Sequence, residues 1–229
     1  MRSLHIRSVA IAATALLTLA GSVVAQEKPA GLLNSLEVRQ LVARAEPADN
    51  ARLAAHFTAL ENRSEAEAKR HLGMSQSFVG NPSRNLGTGM SAHCKRLMDL
   101  NTQSATTLRE LAAYHDALAG GTPAALPKGG ARYQNGAGAP APTDKDLTAL
   151  AARASTPADH HALEEYFVTL AARYAADVKA HSAFAGAVRN TRIEHAAAIH
   201  DRLAALARDA AKEARAAAEM HKQFASIGR

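Results

Sequence analysis

Apolar residues recur at alternating steps of four and three along four stretches of this chain, a spacing that places them on one edge of a helix. The first edge runs Asp49, Leu53, Phe57, Leu60, Ser64, Glu67, His71, Met74, Phe78. The second runs Met90, Cys94, Leu97, Asn101, Ser104, Leu108, Leu111, His115, Leu118. The third runs Asp159, Leu163, Phe167, Leu170, Tyr174, Asp177, His181, Phe184, Val188. The fourth runs Ala196, His200, Leu203, Ala207, Ala210, Ala214, Ala217, His221, Phe224. The pattern predicts long helices over 47–78, 88–119, 157–189 and 192–226. Shorter amphipathic runs predict helices at 31–45 and 144–154.

The four stretches are two copies of one unit. Residues 47–79 align with 157–189 at an offset of 110, and 93–119 align with 199–225 at an offset of 106. Pro47-Ala48-Asp49 recurs as Pro157-Ala158-Asp159, Phe57 as Phe167, His71 as His181, and His115 as His221. Thr156, Pro157 and Asp159 make a good helix start, with a capping hydroxyl, a proline at the first helical position and an acid at the third. Glu46 in the first copy is a poorer cap. Each copy reads as a helical hairpin that cannot bury its apolar stripe alone. The expected fold is therefore all-α, a four-helix bundle of two tandem hairpins, each preceded by a short helix. The first repeat spans 26–119 and the second 143–229. Residues 120–142, rich in Gly, Pro and Ala, form the linker between them.

Residues 1–25 read as an export signal. Arg2 and Arg7 precede a short apolar run, and Val23-Val24-Ala25 is a small-residue cleavage site. Gln26, not Cys, follows it, so no lipid anchor is expected. The reading places the mature chain in a periplasm or outside the cell, with no transmembrane segment. Losing Arg2 and Arg7 lowers the formal charge of +6 by two, to +4. No basic cluster is interleaved with aromatics, so nucleic acid is not an expected partner. Trp is absent and Ala abundant, which fits closely packed helices. The single Cys94 allows no internal disulfide; it is expected to be buried, metal-bound or joined to another chain.

Each edge begins as core and then turns polar. Glu67 and His71 lie one turn apart, as do Asp177 and His181. Cys94 and His200 hold equivalent positions, and what Cys and His share is affinity for transition metals. Within an antiparallel hairpin His71 falls level with Cys94, His181 with His200, Asp49 with His115, and Asp159 with His221. Two polar layers about 30 Å apart are then expected. The upper layer offers His71, Cys94, His181 and His200 as metal ligands. Glu67 and Asp177 serve as orienting partners, and Met74 and Met90 as auxiliary soft donors. The lower layer, Asp49, His115, Asp159 and His221, is a possible second polar layer. There the aspartates have an ordinary role in capping backbone N–H groups. His56, His160 and His161 fall beside the edges and are expected to be solvated or partly packed. His93 and His195 lie close to the upper layer.

No nucleophile elbow, P-loop, dinucleotide fingerprint, zinc-protease motif or haem-attachment motif occurs, and Cys94 lacks the surroundings of a catalytic thiol. No enzymatic activity is expected. The expected role is binding or buffering of a transition metal, copper first and zinc second. The alternative is a non-catalytic adaptor that docks a periplasmic or envelope protein, with structural buried histidines; the two hairpins are expected to pack within one chain or across a homodimer.

Overall fold

The computed structural model describes residues 32–81, 84–120 and 143–227. The expected export signal at 1–25, nearly all of the expected linker at 120–142 and Pro82-Ser83 lie outside the described residues. Six helices and no strand are present among those described: α1 Ser35–Arg44, α2 Pro47–Val79, α3 Arg84–Leu118, α4 Asp144–Arg153, α5 Pro157–Val188 and α6 His195–Ile227. No helix among them is long and apolar enough to cross a membrane.

Local chemistry sets the helix ends. Thr156 accepts from Asp159 N–H while Asp159 accepts from the Thr156 N–H, the reciprocal box expected from the sequence. Thr143 with Asp146 and Asn34 with Glu37 build the same device on α4 and α1. Glu46 gives α2 no side-chain cap. Asp49 is turned instead to Arg44, whose guanidinium donates to both carboxylate oxygens at 2.9 and 2.7 Å. Helix α3 ends at Leu118, and the chain leaves it through Gly120, whose φ of +63° is a left-handed conformation that suits glycine. Helix α6 starts three residues later than expected because 191–194 form a tight turn, with Glu194 N–H donating to Thr191 O.

Helix α2 packs along α3, and α5 along α6, as antiparallel pairs. Helix α3 also packs along α6, with opposite sense: His93 meets Glu213, and Glu110 meets Arg202. Buried alanines along α6, from Ala196 to Ala218, present little side chain and let neighbouring backbones come close. The fourth edge is different. No Cα of α2 lies within 8 Å of one on α5, and the short helices cover that gap, each touching both. Gly73 makes room for α4: a Cβ there would stand 2.9 Å from Thr148 Cγ2.

The buried apolar residues form two clusters. One gathers Met74, Phe78, Met90, Cys94, Phe167 and the alanines around Ala214. The other gathers Phe57, Leu111, Phe184, Val188 and Ile199. Between them lies a polar belt on α2 and α5. Arg63 pairs with Asp177 at 3.0 Å, and Arg173 pairs with Glu67 at 2.9 Å. Because Arg63 faces Asp177 and Glu67 faces Arg173, residue numbers fall on α5 as they rise on α2. The hairpins therefore lie head to tail, and the turn of each sits at the open end of the other.

Candidate functional site

Head-to-tail packing re-sorts the expected layers. The register inside each hairpin is as expected, with His181 Nδ1 3.1 Å from His200 Nδ1. The register between hairpins is not. Glu67 lies opposite Arg173, so His71 falls near position 169 of α5, about 18 Å along the axis from His181. His71 and Cys94 thus do not share a layer with His181 and His200. Each pair shares its end with the other hairpin's lower histidine.

The first end combines His181, His200 and His115. The Phe57 ring stacks on His115 with centroids 5.4 Å apart and meets His200 edge-on at 5.5 Å. His115 Nδ1 bonds Asn50 Oδ1 at 2.9 Å. The second end combines His71, Cys94, His221 and His160. Phe167 stacks on His221 at 5.7 Å and on His71 at 6.3 Å. His160 Nδ1 lies 3.3 Å from His221 Nδ1. Met74 and Met90, the proposed soft donors, are fully buried in the same cluster as Cys94. The ends are counterparts: at offsets of 110 and 106, Asn50 answers to His160, Phe57 to Phe167, His71 to His181, Cys94 to His200, and His115 to His221.

Four expectations need correction. Glu67 and Asp177 do not orient imidazoles. Glu67 Oε2 stays 3.9 Å from His71 Nε2 while its other oxygen binds Arg70 and Arg173, and Asp177 binds Arg63. The belt's guanidinium groups outbid a neutral ring for a carboxylate. Asp49 and Asp159 do not form a layer with the histidines, because Arg44 takes the first and the Thr156 cap takes the second. His160 is buried rather than solvated or partly packed. His56 is buried too, and accepts from Leu33 N–H at 3.1 Å. Of the others, His93 faces Glu213 at 2.5 Å, His195 lies against Tyr114, and His161 is exposed beside Glu164.

The electrostatics leave the rings neutral. Burial lowers His71, His115 and His181 to about 4 and His221 to about 3. His200 falls to about 2 through burial and the neighbouring His181, His115 and His56. Burial also pushes the Cys94 thiol up to about 12, which removes it as a nucleophile at neutral pH. For Glu67, burial pushes upward, but Arg173 and Arg70 outweigh it and hold the carboxyl below its ordinary value.

Neutral imidazole is the ligand form of histidine. Two donors at about 2.0 Å around a tetrahedral ion stand about 3.3 Å apart, close to the 3.1 and 3.3 Å seen here. The same spacing suits a hydrogen bond between two neutral rings of opposite tautomer. Several buried ring nitrogens have no hydrogen-bond partner: both nitrogens of His71, and Nε2 of His115 and of His221. The phenylalanine wedges keep the pairs apart, and no three His, Cys, Asp or Glu among the described residues are grouped to hold a metal ion. The polar belt holds a cavity of about 30 Å³ beside Arg63, Glu67, Asn101 and Arg173, room for one or two waters.

Compared with protein-family models, curated proteins and solved structures, the chain matches none.

Proposed function

We propose that this chain is an exported, non-catalytic four-helix bundle that binds or buffers a transition-metal ion, copper first and zinc second. The leader at 1–25 supports the export and periplasmic placement. The head-to-tail hairpins, with α1 and α4 covering the α2/α5 gap, support the bundle. The observation that carries the metal reading is the His181–His200 pair. Two buried, neutral rings on facing helices present their Nδ1 atoms 3.1 Å apart, and His160–His221 repeats the arrangement at 3.3 Å. The donors regroup into His71, Cys94, His160 and His221 at one end and His115, His181 and His200 at the other. Recruiting more than one pair to an ion requires the Phe57 or Phe167 wedge to shift.

The test is elemental analysis of mature protein exported natively and purified without chelator, with Cu(I), Cu(II) and Zn(II) titrations alongside. Near-stoichiometric metal that survives dialysis is the expected result. Empty protein with no tight binding of these ions overturns the reading.

One observation favours a second reading, an adaptor whose histidines are structural. The close ring pairs already satisfy each other, and no three-donor group exists among the described residues. That reading expects no thermal shift on adding metal and a docked protein partner instead.

A further inference from the structure

The two hairpins meet as identical subunits do. On the α2/α5 edge the first hairpin contributes Arg63 and Glu67, and the second contributes Asp177 and Arg173. On the α3/α6 edge Arg96 of the first lies 3.5 Å from Glu213 of the second, and Arg202 of the second meets Glu110 of the first. Arg63 and Arg173 are counterparts at the offset of 110, and Arg96 and Arg202 at the offset of 106. On each edge, then, each hairpin supplies one cation and one anion. Inside, the phenylalanine of each repeat reaches a histidine of the other: Phe57 meets His200 at 5.5 Å, and Phe167 meets His71 at 6.3 Å. These contacts join side chains of separate hairpins, so they form equally well whether the hairpins belong to one chain or to two.

The covalent tie between the hairpins is the stretch 119–143. His115 meets Asn50, so α3 ends level with the start of α2, whereas Asp144 accepts from Arg70, about 30 Å along the axis. Between Leu118 and Asp144 the chain can reach about 80 Å when extended. It is long enough to close the bundle within one chain and long enough to deliver the second hairpin to a neighbour. We propose that the inner face of each hairpin is a docking surface for a second copy of this chain. The α2–α3 hairpin of each copy receives the α5–α6 hairpin of the other, and two chains form a closed dimer of two bundles that keeps every bridge above. Metal binding is not needed for it. Closure within one chain competes, because a tether of this length holds the second hairpin at an effective concentration on the order of 1 mM. Protein concentration during folding therefore decides between the two.

Two measurements on the full mature chain test this. Deleting residues 121–140 leaves a connection that reaches about 20 Å, too short for the span inside one chain. That variant is expected to keep wild-type helicity, to double in mass by light scattering, and to melt at a midpoint that rises with protein concentration. In the second measurement, tagged and untagged wild-type chains are unfolded together in urea and refolded at about 1 mM and at about 1 μM. Mixed dimers are expected at the higher concentration and monomers at the lower. Reversal requires the hairpins to part, so the mixed dimers are expected to persist on dilution. A deletion variant that is folded and monomeric overturns the proposal. If the variant loses helicity, the wild-type refolding decides: persistent mixed dimers sustain the exchange, while monomers alone, or dimers that fall apart at once on dilution, overturn it.

Discussion

Arg63 on α2 donates to both carboxylate oxygens of Asp177 on α5, at 3.1 and 3.0 Å. The repeat offset turns Arg63 into Arg173 and Asp177 into Glu67, and those two residues make the reciprocal bridge at 2.9 Å. Each repeat thus supplies the cation for the other's anion, in the manner of a two-fold interface between identical subunits. The bridges span the one helix edge where backbones stay apart, so they fix how the hairpins meet.

The two bridges differ in burial, and their removal should differ in cost. The Glu67 side chain is 6 % exposed and also serves Arg70, whereas Asp177 is 25 % exposed. Glu67→Gln leaves Arg173 without its counter-charge in the interior. It should lower unfolding free energy by about 3 kcal/mol. Asp177→Asn should cost about 1 kcal/mol, as expected for a partly solvated pair. Urea denaturation of each variant checks the order, and equal costs would mean that burial does not set it.

The buried histidines impose an acid limit on the metal-free protein. In the unfolded chain they take up protons as pH falls below their ordinary value of 6.5. In the native state His71, His115 and His181 resist until about pH 4, and His221 and His200 lower still. The unfolded state therefore binds more protons between those values, and stability falls as pH falls. Each histidine contributes up to about 1.4 kcal/mol per pH unit in that window. Stability should be flat from pH 7 to 8 and drop steeply between pH 6.5 and 4. Below that the depressed carboxyl of Glu67 adds its own loss as it protonates. Denaturation midpoints across this range test the sign and the window.

Much of this was legible in the sequence. The Thr156-Pro157-Asp159 start, the long helices and the level pairing of His181 with His200 follow from local periodicity, which the structure keeps. The sense in which the hairpins pack was not legible, because periodicity identifies a buried edge on each helix but not which end of one hairpin meets which end of the other. That choice moved His71 away from His181. Asn50 and His160 were missed for a different reason. A strict four-three edge passes through Asp49 and Asp159, while the buried face of these helices is wider and includes the next residue. The offset of 110 pairs position 50 with 160 and was the available signal.

Asn50 and His160 do the same work in their two ends, each bonding the Nδ1 of a histidine on the neighbouring helix. His160→Asn should therefore be tolerated, within about 0.5 kcal/mol of wild type, since it restores the partner that His115 already uses. His160→Ala should cost about 1–2 kcal/mol by leaving His221 Nδ1 unpaired in the interior. Comparing the two thermal midpoints separates a role in hydrogen bonding from one in filling space. If Asn proved as costly as Ala, ring volume against Phe224 and His221 would be the dominant contribution.

Cys94 offers a readout of the core at the end that holds His71 and His221. Its side chain is fully buried and burial holds its thiol pKa at about 12, so both access and thiolate fraction oppose reaction. A disulfide reagent should label native, metal-free protein only through opening of the α2/α3 end, orders of magnitude more slowly than protein in denaturant. Phe167→Ala removes a wholly buried ring from the same cluster and should destabilise the fold by about 3–5 kcal/mol while accelerating labelling. Phe57→Ala deletes the counterpart ring from the other cluster, at similar cost. If the ends open independently, Phe57→Ala leaves the Cys94 labelling rate near that of wild type. If the polar belt couples them into one cooperative unit, both variants accelerate labelling equally. The reciprocal bridges of Arg63 and Arg173 favour the coupled outcome.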